Sequence, residues 1–295
     1  MPSVAANSPA PLTISVAAGK GGTGKTLVST SLAIELAYEY PDKVALLDGD
    51  VEEPNADLLM PTVFEDSQPV HILVPEVDAE ACIHCGKCAE ACQASAIAKI
   101  RDVVVTFHEL CTGCGACAYV CPVDAIAEVP RKVGRIDRGI AAGSVEFTQG
   151  RSEIAQQHTG SVTSALKAHI KSGKVSIVDA PPGTSCPMQE TIEDSDYCIL
   201  VTEPTPFGLN DLKAAVETCR TLSVPHGVVI NRDGIGDRAV EDYCKTEGIS
   251  VLLKIPHERR IAEAYSRGET LVLAFPEWRG PLGQVFDAIV EEVAQ

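Results

Sequence analysis

The 295-residue chain is poor in aromatic and basic side chains and has no long apolar run. With one Trp, six Tyr and six Phe, its core must be built from aliphatic side chains, Ala and Cys. Twenty-four Lys and Arg stand against 41 Asp and Glu, a formal charge of −17. That balance argues against a nucleic-acid surface, because binding to phosphate backbones draws on clustered cations. No uninterrupted apolar stretch reaches the ~20 residues of a membrane span. The opening MPSVAANSPAPL lacks the basic and apolar regions of a secretory leader. These shortages predict a cytoplasmic protein with a flexible tail at residues 1–11 and no nucleic-acid or membrane partner. What the chain does have is cysteine, twelve in all, with eight in two tight clusters.

The rest reads as alternating strand and helix. LTISVAAG is strand-like, a Gly-rich turn follows, and KTLVSTSLAIELAYEY has apolar residues at helical spacing. KVALLDGD and VHILVPEVD read as further strands. From residue 79 to 130 the chain is Cys- and Ala-rich with short elements only. Beyond it, VGRIDRGIAAGSVEFTQG has the pattern of a hairpin, and SALKAHIKSG reads as a helix closed by glycine. KVSIVDAPPG, YCILVTEP, HGVVINRDG and VLLKIP are the apolar, β-branched runs of buried parallel strands, with helical segments between them. The simplest fold class is a doubly wound, mostly parallel α/β domain, residues 1–78 and 131–295, interrupted by a small module at 79–130.

GKGGTGKT, from Gly19 to Thr26, satisfies G-x4-G-K-[ST] between a strand and a helix, the context a phosphate loop requires. Gly19, Gly21, Gly22 and Gly24, with Lys20 and Thr23 between them, let successive backbone N–H groups close on phosphate oxygens. Lys25 supplies positive charge to the β and γ phosphates, and Thr26 offers its hydroxyl to Mg2+. Lys20 is not needed by this minimal cradle. It makes the loop resemble that of the deviant-Walker P-loop ATPases, the MinD/ParA/Mrp group that includes the nitrogenase iron protein.

The resemblance implies that Lys20 crosses a nucleotide-sandwich dimer to the phosphates of the other subunit. The active form is then a homodimer, or a heterodimer with a paralogue. In LLDGDVEEPN, Asp50 matches the aspartate that positions the attacking water and the Mg2+ shell, whereas Asp48 reads as a cap for the next helix. In VSIVDAPPGT, Asp179 would bind Mg2+ through water and Gly183 would offer its amide to the γ phosphate. Asn231, ending a late strand, matches the asparagine that reads the adenine edge, and IPHERRIAEAY matches the base-side loop. ATP is favoured over GTP because no N-K-x-D motif occurs.

Cys82, Cys85, Cys88 and Cys92 have C-x2-C-x2-C-x3-C spacing, repeated by Cys111, Cys114, Cys117 and Cys121. Zinc and disulfides are the alternatives, and His84 lies inside the first run. The spacing is similar to that of bacterial two-cluster ferredoxins, in which the fourth cysteine of each run serves the other cluster. By that resemblance one [4Fe-4S] cluster takes Cys82, Cys85, Cys88 and Cys121, and the other takes Cys111, Cys114, Cys117 and Cys92. Gln93 departs from the pattern, standing where the second run has Pro122, which puts the local turn in question. His84 is expected to be exposed. Cys198, Cys219 and Cys244 read as buried small hydrophobes. Cys186, seven residues after Asp179, matches a ligand position of the nitrogenase iron protein or is inert. The expected function is a Mg-ATP-hydrolysing switch that couples nucleotide state to electron transfer with an electron-transfer partner. The alternatives are a cluster carrier with an acceptor protein and a redox-sensing positioning ATPase.

Overall fold

The computed structural model describes residues 9–154 and 159–294. Residues 1–8 of the expected tail lie outside these, and residues 9–11 lead into the first strand without regular structure. β1 (Leu12–Ala17), α1 (Lys25–Glu39) and β2 (Val44–Asp48) open the chain. β3 (Thr62–Val77) runs out to the cysteine-rich region, with its short α2 (Lys87–Ala91), β4 (Ile97–Ile100), β5 (Val103–Thr106) and α3 (Ala116–Tyr119). β6 (Ile126–Ala141) returns and turns into β7 (Val145–Ser152). Then come α4 (Gly160–Lys167), β8 (Val175–Asp179), α5 (Cys186–Ile192), β9 (Tyr197–Thr202), α6 (Pro206–Thr221) and β10 (His226–Asp233). α7 (Ala239–Glu247), β11 (Val251–Pro256), α8 (Arg259–Ser266), α9 (Leu271–Ala274) and α10 (Arg279–Val293) complete the described chain.

One sheet has the order β11-β10-β9-β1-β8-β2-β7-β6-β3, parallel from β11 to β7, with β6 and β3 added antiparallel. β2, β8 and β9 are buried at every residue, which explains their unbroken apolar runs. One face packs Ile14, Val16, Leu46 and Ile177 against Leu32 and Leu36 of α1. Truncating such a fully enclosed leucine to alanine costs about 2–5 kcal/mol. The other face packs Leu47 and Val178 on Val162 and Leu166, and Ala17, Cys198 and Leu200 on Leu212 and Cys219. The carboxyl ends of β1, β2, β8, β9 and β10 meet on one edge, the usual ligand site of an open parallel sheet.

Two expectations are corrected. VHILVPEVD is only the outer half of a 16-residue strand that pairs with β6 from Thr62–Ala141 to Val77–Ile126. Its inner half is polar and largely exposed, so backbone pairing rather than burial holds it, and apolar pattern does not reveal it. The helix expected over SALKAHIKSG starts earlier and ends earlier, at Gly160 and Lys167, with left-handed Gly173 standing beyond a turn.

Residues 78–125 hang from the outer end of the β3–β6 arm as two matching halves. Left-handed backbone recurs at His84 and Gly113 (φ 53° and 75°), Gly86 and Gly115 (84° and 72°), and Ser95 and Asp124 (55° and 50°). The turn after Cys92 is retained with Gln93 in place of proline. His84 is half-buried rather than exposed, and its Nδ1 has no hydrogen-bond partner.

Candidate functional site

The loop after β1 closes tightly at its two ends. A Cβ on Gly19 would lie 2.2 Å from the Asp211 carbonyl, and one on Gly24 (φ 98°) would lie 2.3 Å from Asn231 Nδ2. Gly24 also caps α1 without any side-chain bond, leaving the first N–H groups of the helix for an anion. Lys25 and Thr26 are buried at that end, and Asp179 points in from β8.

Neither carboxylate oxygen of Asp179 has a hydrogen-bond partner, although the residue is 1% exposed. Burial raises its pKa to about 6, against the pull of Lys25 and of the nearby Thr26 and Ser29 hydroxyls. A buried, unsatisfied carboxylate beside a threonine hydroxyl and a lysine fits the shell of a hydrated Mg2+. Asp50 is also raised by burial, opposed by Lys25. It lines a 240 Å³ cavity with Glu52, Glu53, Pro181, Pro182 and Ser185. Asp48 is fully buried and accepts the N–H groups of Asp50, Asn55 and Ala56 at 3.2, 2.9 and 2.9 Å. It therefore anchors the loop that carries Asp50, as the cap reading expects; burial and the charge of Asp179 push it to about 7.

Asn231 stands at the end of β10. Its Nδ2 donates to the Thr23 carbonyl at 2.7 Å and its Oδ1 accepts the Arg232 N–H at 2.9 Å, which leaves one donor and one lone pair free for a base. Beside it opens a 480 Å³ cavity, walled by Gly24, Leu27 and, from the IPHERRIAEAY segment, Pro256, His257, Ile261 and Tyr265. Two contacts tie down the residues expected at the γ phosphate. The Gly183 N–H is bonded to the Ala18 carbonyl at 3.0 Å, so reaching a phosphate requires that bond to break. The Lys20 Nζ donates to Glu203 Oε1 at 2.5 Å within the chain. Glu203 and Arg232 escaped the sequence reading; the position of Glu203 just past a strand's carboxyl end was the available signal.

In the outer module, one small cavity is lined by Cys82, Cys85, Cys88 and Cys121 and a second by Cys92, Cys111, Cys114 and Cys117. None of the twelve cysteines is paired in a disulfide. Backbone N–H groups of Ala96 and Ala125 donate to Cys92 and Cys121 Sγ at 3.2 Å, each four residues on. Among the described residues no three His, Cys, Asp or Glu side chains converge on a single-ion site. Cys198, Cys219 and Cys244 are fully buried, and Cys186 is exposed at the start of α5.

The sequence pattern of the CobQ/CobB/MinD/ParA nucleotide-binding domain matches residues 14–272. The chain belongs to that family. It is therefore a MinD/ParA-type nucleotide-binding ATPase. An uncharacterized protein from Methanocaldococcus jannaschii is 30% identical over 284 residues, 94% of this chain and 97% of its own. An iron-sulfur cluster carrier protein from the same organism is 26% identical over 133 residues, 40% of this chain and 46% of its own. The septum site-determining protein MinD of Pyrococcus horikoshii, solved with Mg-ADP, has a TM-score of 0.56 at 20% identity over 96% of both chains, a likeness of fold. None of the helices among the described residues is long and apolar enough to cross a membrane.

The lone Asp179 carboxylate makes a stability prediction for this ATPase. Its folded pKa, raised from 3.8 to about 6, means that its stabilising contribution is fully present below the unfolded value and is lost as pH rises through the folded one. Asp179→Asn is expected to raise the unfolding free energy of the protein without Mg2+ and nucleotide by up to about 3 kcal/mol near pH 8, with little change near pH 4. Thermal unfolding followed by circular dichroism at the two pH values measures this. A variant no more stable than wild type at the higher pH would show that the charge is already compensated.

Proposed function

We propose that this ATPase holds a [4Fe-4S] cluster in each four-cysteine cage and couples its nucleotide state to electron transfer, acting as a dimer with an electron-transfer partner. The observation that carries the reading is the pairing of the cysteines. The two cavities group them with the fourth of each run exchanged, as two-cluster ferredoxins do. Burial raises the Cys88 and Cys117 thiols, so thiolates there require a cation, which iron supplies. The clusters supply one-electron chemistry when bound; the chain supplies their placement and their tuning through N–H···S bonds.

The chain then divides into an ATPase body of residues 1–78 and 131–295 and a ferredoxin-like module at 79–130. In the body, Gly19 to Thr26 cradle the phosphates of ATP, Lys25 and Lys20 bring charge to them, and Thr26 and Asp179 serve Mg2+. Asp50 orients the attacking water, Gly183 senses the γ phosphate and Asn231 reads adenine. Coupling has a material route. Ile72 of the arm packs both on the Val74–Ala96–Cys111 cluster and on the cluster that contains Val51 and Val178, the neighbours of Asp50 and Asp179. A shift of either switch therefore presses on the packing of one cage.

An anaerobic, EPR-monitored redox titration with and without Mg-ATP tests the reading. A shift of some tens of millivolts is expected, where ~60 mV is tenfold for one electron. Superimposable curves from hydrolysing protein would overturn redox coupling. The partial similarity to iron-sulfur carriers favours a second reading, in which the clusters pass to an acceptor protein. Loss of iron to an apo-ferredoxin on ATP addition would select it.

A further inference from the structure

The two loop lysines are held in different ways. Lys25 is buried at the start of α1, whereas Lys20 is folded back on Glu203, at the end of β9. The other Glu203 oxygen, Oε2, accepts from Arg232 Nη1 at 3.0 Å, and Arg232 Nη2 donates to the Gly22 carbonyl at 3.3 Å. Side-chain exposure ranks the three: 9% for Glu203, 32% for Lys20 and 47% for Arg232. The carboxylate is the fixed member. A Cβ on Gly208 would lie 2.2 Å from the Glu203 carbonyl, and Thr205, which caps α6 through the Gly208 N–H at 3.0 Å, also donates to Glu203 Oε1 at 3.4 Å. These contacts hold the Glu203 backbone and brace one carboxylate oxygen. Burial by itself would raise its pKa, but Lys20 and Arg232 together outweigh that and hold it below the ordinary range.

A buried carboxylate stripped of its single cation is strongly unfavourable, whereas one with two cations stays neutralised when one of them leaves. The arrangement suits exchange rather than permanent pairing. A nucleotide phosphate carries more charge than a carboxylate already shared with arginine, so it can draw the ammonium away.

We propose that Glu203 is a positioning residue that parks Lys20 on its own subunit until a second nucleotide-loaded copy of the chain takes it, Arg232 then remaining as the sole partner of Glu203. This inference rests on the dimeric reading above. By two-fold symmetry each association event involves two such exchanges.

The test is the concentration at which the full-length protein is half dimeric in saturating Mg2+ and a non-hydrolysable ATP analogue, read by sedimentation velocity. Glu203→Gln removes the charge that retains Lys20 and is expected to lower the midpoint about fivefold. Arg232→Ala leaves Lys20 as the only cation on Glu203 and is expected to raise it about fivefold. Opposite shifts are the signature, since mere loss of a structural contact would weaken association in both variants. Shifts of the same sign, or none, in chains whose wild type dimerises would overturn the parking role alone. A wild type that stays monomeric with nucleotide would overturn the dimeric reading and the parking role with it.

Discussion

Lys25→Ala is expected to lower ATP turnover about a hundred- to a thousandfold while leaving iron content and brown colour unchanged. Lys25 is buried at the mouth of α1, where it gives the phosphates a charge that water cannot screen. It is also the largest force lowering the pKa of both Asp50 and Asp179. Its removal thus costs the site a cation and leaves two carboxylates harder to ionise where Mg2+ must bind. The check is an anaerobic phosphate-release assay beside iron analysis of the same sample. Undiminished turnover would remove Lys25 from the reaction. Loss of colour along with turnover would mean that the module depends on the phosphate loop for its fold.

Cys111→Ser carries the second large effect. The module's two apolar clusters have as buried members only Val74, Ala96 and Cys111 in one and Cys88, Ile97 and Cys117 in the other, so three of the six are cysteines. A core that small cannot offset the chain entropy of some fifty residues, and on the proposed reading the clusters supply the difference. Cys111→Ser is expected to reduce iron from about eight to about four atoms per chain or fewer, and to open residues 78–125 to protease. Cys198→Ser, more deeply buried and between β9 and α6, is the control and should keep its iron. Full iron in the Cys111 variant would exclude it as a ligand.

Much of this was readable from spacing, because the features concerned are local. Gly19 to Thr26 and the unbroken apolar runs of β2, β8 and β9 each depend on a few consecutive residues. The inner half of β3 was not readable, since its polar residues are held by backbone pairing with β6. His84 was misplaced for a related reason. Its left-handed backbone matches Gly113 in the other half, and nothing in its side chain announces that conformation.

The sequence by itself determined the strand–loop–helix phosphate cradle, the alternation that yields a parallel sheet and the two cysteine runs, all of which come from backbone geometry and side-chain period. Only the tertiary structure decided which charges meet. Lys20 reaches Glu203 across 183 residues, and Asp48 faces Asp179 because β2 and β8 are adjacent in register. Such encounters are set by strand order and burial, which place distant residues at one sheet edge and decide whether a carboxylate there is paired, protonated or left open for an ion.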